Sequence, residues 1–243
     1  MKIRNIAILT AALTGLASAG SALAAPLAIG DVVQVGDAAG GVFGPSPSGS
    51  DANGLYSSVS FQLNGSGGVN TSAGVFVLDY SHDGTSWNQF LSFCLEPDVY
   101  LTPFSNPYTV NSVGSAGSPL YPEALISELW GRYRGLVVDD TSAAAFQVSL
   151  WELSYGNTDR NLTTGDFRLT SNSAVNAMAQ GWLSSLNGQG PMAQGLMVLV
   201  NNQQLADRQD LITQTVPEPS SLALLGLALL GVGAMRRRAV SIS

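Results

Sequence analysis

Lysine is almost missing from this 243-residue chain, where Lys2 is the only one. Cysteine and histidine also occur once each, as Cys94 and His82. A single cysteine excludes a disulfide within the chain, so Cys94 pairs between chains, stays a free thiol, or enters some other covalent bond. A single histidine excludes a His-rich metal centre. Its place in the turn His82-Asp83-Gly84 suits a solvated loop residue better than a member of a catalytic triad. Asp139 and Asp140 are adjacent on a helix start and do not face each other, so capping is expected of them rather than paired acid chemistry. The spacing of Asp79 and Asp83 matches no calcium loop. No metal, no cofactor and no enzymatic activity is therefore expected. Cations are scarce as well: from Ala25 to Thr215 five arginines face sixteen carboxylates, a net of −11. Phosphate binding needs clustered cations, so no nucleic-acid partner is expected.

What is present begins with two processing segments. Met1-Lys2-Ile3-Arg4 is a basic start, Ile6 to Ala17 is apolar, and Ala22-Leu23-Ala24 is a small-residue cleavage pattern. Residues 1–24 thus read as a secretory signal peptide, which makes an unpaired cysteine the more unusual. At the other end Pro217-Glu218-Pro219 leads into the apolar run Leu222 to Met235 and then Arg236-Arg237-Arg238. The run is shorter than the roughly 20 residues of a full span, but a basic cluster directly behind it is the stop-transfer arrangement. This tail, 216–238, resembles the PEP-CTERM sorting signal of Gram-negative bacteria. The resemblance implies transient inner-membrane insertion, recognition of Pro217, Glu218 and Pro219 by an exosortase-type enzyme, and delivery to the cell surface or extracellular matrix of a bacterium that makes exopolysaccharide.

Residues 25–215 read as one domain. Leu27 to Phe43 is strand-like with glycine breaks, Gly44 to Asn53 is a loop, and Tyr56 to Leu63 alternates as a half-buried strand does. Val75 to Tyr80 and Trp87 to Leu95 form a hairpin around His82-Asp83-Gly84, with Cys94 on its outgoing strand and Pro97 ending it. Leu101 to Pro119 is loop-like. Three helices follow within about 121–187: one carrying Leu125, Ile126, Leu129 and Trp130 and ended by Gly131 and Gly135, one running through Gln147 to about Ser154, and one over Ser173 to Leu186. Leu196 to Val200 and Asp210 to Gln214 read as closing strands. The fold class is α+β, an antiparallel β-rich domain with a helical insertion, flanked by the signal peptide and a single hydrophobic sorting helix.

The second helix holds an anomaly. In Ala143-Ala144-Ala145-Phe146-Gln147-Val148-Ser149-Leu150-Trp151 the amide of Gln147 lies on the same side as Ala143, Phe146, Leu150 and Trp151. A buried amide costs roughly 1–3 kcal/mol unless it finds partners, and Cys94 is the candidate partner. The pattern Phe93-Cys94, followed 53 residues later by Gln147 and Trp151, is similar to the thioester domains of bacterial surface adhesins. Their helix motif often reads Thr-Gln-x-Ala-Ile-Trp, where this chain has Phe146-Gln147-Val148-Ser149-Leu150-Trp151. The resemblance implies an internal Cys94–Gln147 thioester, with Phe93 and Trp151 packed around it, open to attack by a surface-protein amine or a polysaccharide hydroxyl. Absence of lysine from the mature chain fits an electrophile that spares its own copies, and a G- and C-rich genome gives the same bias. An adhesin is expected on this pattern. The alternative is a noncovalent exopolysaccharide or biofilm-matrix protein in which Cys94 stays a thiol.

Overall fold

The computed structural model describes residues 25–37, 41–43, 54–99, 101, 107–116, 121–155, 159–201 and 209–214. The signal peptide, the loop at 44–53 and the sorting tail lie outside the described residues. Among these the architecture is mostly antiparallel β, with nine strands and three α-helices. The strands are β1 (Val32–Asp37), β2 (Tyr56–Leu63), β3 (Val69–Gly74), β4 (Phe76–Ser81), β5 (Asn88–Cys94), β6 (Pro107–Ser112), β7 (Phe167–Leu169), β8 (Leu196–Asn201) and β9 (Leu211–Gln214). The helices are α1 (Glu123–Tyr133), α2 (Asp140–Tyr155) and α3 (Ser173–Ser185).

Six strands close a barrel in the order β1-β4-β5-β9-β8-β6, and β3-β2-β7 form a separate three-stranded sheet. Closure removes the exposed edges that an open sheet of this size leaves. The expected hairpin is there, with Leu78 opposite Phe90 and Tyr80 opposite Asn88. The stretch from Leu101 to Pro119, expected as loop, contains β6, which closes the barrel against β1 and β8. Its buried residues are Tyr108 and Val110, alternating with Thr109 and Asn111, so a strand period lay under the Pro/Asn/Ser composition. β3 was also unforeseen, since its first four residues are polar or half-exposed. The turn Asn64-Gly65 reverses the chain between β2 and β3: both residues adopt positive φ, 51° and 72°, and the Ser66 N–H closes the turn on Leu63 O at 2.9 Å.

α2 sits at the centre of the molecule. Every residue from Ser142 to Leu153 is buried, because β5 of the barrel, the three-stranded sheet, α1 and α3 all pack against it. Its start is capped twice: Asp139 Oδ1 accepts from the Ser142 N–H (2.7 Å), while Ser142 Oγ accepts from the Asp139 N–H (3.0 Å). Gly131, expected to end the first helix, instead lies inside α1. A Cβ there would run into the Pro191 carbonyl, so glycine is what lets the 191–193 segment lie against α1 and Ala193 N–H reach Ser127 O at 2.9 Å.

Candidate functional site

The site forms where β5 loses one neighbour. β4 pairs with β5 as far as Ser92, while β9 continues to Cys94, which lies opposite Leu211. The next N–H, of Leu95, turns to Asp210 O (2.9 Å), so the polar backbone groups of Cys94 point to the other edge, where no strand remains. Gln147 of α2 fills that place. Its Oε1 accepts from the Cys94 N–H at 2.9 Å, and its Nε2 donates to the Cys94 carbonyl at 2.7 Å. Cys94 and Gln147 are each about 1% exposed, so both bonds are dry. The carboxamide thus stands in for a missing ladder strand. This differs in one respect from the sequence expectation, because the amide meets the cysteine through its backbone.

The Cys94 sulfur has its own surroundings. Sγ accepts from the Glu96 N–H (3.3 Å) and donates to the Glu96 carbonyl (3.2 Å). Burial pushes the thiol well above its ordinary pKa; the Trp151 indole and the Glu96 N–H act in the opposite sense, and the charges of Glu96 and Asp210 add to the rise. Trp151 lies one turn beyond Gln147 on α2, and its buried Nε1 makes no hydrogen bond among the described residues. Its ring packs on Phe61 (5.6 Å) and Phe167 (6.1 Å). Phe93 is buried against Phe146 (4.7 Å) and Trp130 (5.7 Å), in the interface between β5 and the helices.

A group of acids and phenols beyond the sulfur escaped the sequence reading. Glu96 Oε2 accepts from the Asp210 N–H (2.6 Å), and Asp210 accepts from Tyr121 Oη (3.2 Å) and from the Asn201 N–H (3.1 Å). Burial, then the Asp210 charge, raises Glu96 to about 7. Burial likewise raises Asp210, and raises Tyr121 and Tyr155 so far that both phenols stay neutral. The one local signal was Glu96 itself, two residues from Cys94 and so on the same face of the chain. Asp210 and Tyr121 arrive from 114 and 89 residues away along the links just described, which no local pattern encodes.

Other singled-out residues have structural settings. His82 is exposed and meets Asp31 at 3.0 Å. Asp83 ties its turn by accepting from Thr85 and Ser86 N–H groups, both at 2.8 Å, and those donors hold its carboxyl well below the usual range. Asp140 Oδ1 accepts from Tyr56 N–H at 3.2 Å. Of the four tryptophans, Trp130 and Trp151 are core, Trp182 is half-buried against Tyr133, and Trp87 is 42% exposed. Among the described residues no group of three or more His, Cys, Asp or Glu side chains is arranged to hold a metal ion. Pro217, Glu218, Pro219, Arg236, Arg237 and Arg238 lie outside the described residues, and no described helix is long and apolar enough to cross a membrane.

Chemically, the pair presents a carboxamide whose oxygen already accepts an N–H, held on the backbone of a cysteine in a water-free setting. That N–H is placed to stabilise the charge that would develop on Oε1 if a nucleophile attacked Cδ.

A family model of the PEP-CTERM protein-sorting motif matches residues 215–238. The chain is therefore an exported surface protein, transiently anchored in the membrane before release and processed by an exosortase. No curated protein matches the chain. Among solved structures it is similar to the N-terminal domain of the Streptococcus pyogenes pilus tip adhesin Cpa, at 12% identity and a TM-score of 0.34, over 70% of this chain and 99% of that one. A likeness of that degree assigns no chemistry.

Proposed function

We propose that the exported domain is a Gram-negative surface adhesin that carries an internal thioester between Cys94 Sγ and Gln147 Cδ. The observation that supports it most is the double hydrogen bond that seats the Gln147 carboxamide on Cys94 in a dry interface. In the forming step Sγ bonds to Cδ, the C–N bond breaks, and the thiol proton leaves with the amide nitrogen as ammonia. The Cys94 N–H stabilises the oxygen of the tetrahedral intermediate. The Glu96 carboxyl, raised to about 7 and two residues along the chain from Cys94, serves in this reading as the proton relay that a thiol of raised pKa requires. A nucleophile on a partner then attacks Cδ and releases the Cys94 thiol, so the protein reacts once per molecule and does not turn over. An amine on a surface protein leaves an amide link, and a polysaccharide hydroxyl leaves an ester.

A second reading has its own support. The same two bonds satisfy the buried amide without any chemistry, and burial keeps the Cys94 thiol protonated, as a noncovalent matrix protein requires. Alkylation of the unfolded protein separates the two. The thioester reading expects Cys94 to resist iodoacetamide until methylamine or hydroxylamine has been added first. Full alkylation in fresh protein, with no amine pretreatment, would refute it.

A further inference from the structure

A cavity of about 540 Å³ opens where β5 and β9 part company, beneath the end of α1. β5 pairs with β9 only at Phe93 and Cys94, and beyond that point Thr213 Oγ1 reaches across to Leu91 O (2.7 Å). Its apolar wall includes Leu27, Phe90 and Met197, and Arg134 and Gln89 line it as well. The volume is ordinary for a small-molecule site, where apolar walls and a few placed polar groups are the rule.

Arg134 is the odd residue. The described chain holds four arginines; Arg132 pairs with Glu128 at 2.8 Å, Arg160 donates to Leu186 O, and Arg168 donates to Gly165 O at 2.9 Å. Arg134 makes neither an ion pair nor a hydrogen bond among the described residues, in a domain with eleven more carboxylates than cations. Its guanidinium lies 5.6 Å from the centroid of the Phe93 ring, and burial draws its pKa below the usual arginine value while leaving it charged. A desolvated guanidinium without an acceptor is costly, and nearby carboxylates would have relieved the cost. The Gln89 side chain, exposed on the same cavity, likewise makes no hydrogen bond among the described residues. The Gln214 amide is by contrast spent, accepting from Trp130 Nε1 (2.8 Å) and donating to Gln194 O (2.9 Å).

We infer that this cavity binds a hydroxylated carboxylate of the size of one hexuronate ring, with Arg134 holding the carboxylate, Gln89 a hydroxyl, and the apolar wall the C–H face of the ring. The guanidinium fork matches a carboxylate in a way no other cation of the described chain is free to do. A bare inorganic anion would leave the apolar wall unfilled. The site lies at the Phe93 side of β5 and does not involve the sulfur, so it stands whether or not a thioester forms.

The test is a titration of the ¹⁵N-labelled exported protein with D-glucuronate and, separately, with D-glucose, which differ only in carboxylate against hydroxymethyl. Glucuronate is expected to bind in the millimolar range and to shift the Trp130 Nε1 and Gln89 amide resonances, more strongly at low salt than at high salt. Glucose should bind at least tenfold more weakly. Arg134→Gln should weaken glucuronate at least tenfold, whereas Arg168→Gln and Cys94→Ala should not. Should Arg134→Gln not fold, Gln89→Ala takes its place, with a several-fold loss expected. Equal binding of the two sugars, shifts confined to residues away from the cavity, or an unchanged affinity in the Arg134 or Gln89 variant would each overturn the inference.

Discussion

Removing the Gln147 carboxamide isolates the geometry on which the site depends. Gln147→Ala leaves the Cys94 N–H and carbonyl buried with nothing to pair with, since β4 does not reach them and water is excluded. Each orphaned group costs about 1–3 kcal/mol, so the two together cost about 2–6 kcal/mol. A domain of this size is stabilised by only about 5–15 kcal/mol, so the effect is a large share of the total. The comparison is best made in a Cys94→Ala background, which keeps both backbone groups and removes any covalent chemistry. Urea unfolding followed by tryptophan fluorescence reads the change as a lower midpoint at constant slope. Gln147→Glu sharpens the test. Protonated, the acid can accept from the Cys94 N–H and donate to its carbonyl; ionised, it places a charge in the core facing that carbonyl. Its folded pKa is therefore raised above the ordinary value of about 4.3, so stability is whole below that value and is lost as pH rises through the folded pKa. A Gln147→Ala loss below about 1 kcal/mol, or a Gln147→Glu stability that follows the parent from pH 5 to pH 8, would refute the pairing.

Three further outcomes follow from the structure. Glu96 and Glu152 have carboxyls raised by burial to about 7 and about 8, Glu152 with Asp159 as the next cause, so the native state keeps two protons that the unfolded chain loses near pH 4.3. Stability should fall as pH rises from about 4.5 to about 8 and then level, and Glu152→Gln should remove the part of the slope between pH 7 and 8; a rising or flat profile in urea midpoints would contradict this. Gly131→Ala drives a methyl into the Pro191 carbonyl and should cost about 1–3 kcal/mol by calorimetry, whereas Gly135→Ala, with open space around it, should stay within about 0.5 kcal/mol. Replacing Pro217, Glu218 and Pro219 by alanine should leave full-length precursor in the membrane fraction, read by immunoblot, where the parent is processed and released.

Much of this was legible locally. β2 showed its strict alternation, the β4–β5 hairpin its turn, and α1 its apolar stripe, because each signal lies within one element. The Cys94–Gln147 neighbourhood was legible for a different reason, since a lone thiol and a buried amide are both anomalies that call for partners. Barrel closure was not legible. β1 meets β6 across some 70 residues, and the pairing depends on backbone edges that side-chain patterns do not mark. β3 exposes too much polar surface to announce itself, yet Asn64-Gly65 ahead of it was the available turn signal. The Arg134 cavity exists only because two strands splay after two paired residues, which nothing in β5 or β9 alone encodes.

The most direct test of the central claim is the intact mass of the freshly purified domain, unfolded in iodoacetamide, beside its Cys94→Ala and Gln147→Ala variants. The account predicts a parent about 17 Da lighter than its sequence, the mass of the ammonia expelled, with no alkylation, while neither variant loses ammonia and Gln147→Ala carries one alkylated thiol. A parent of full mass carrying one alkylated thiol would contradict it.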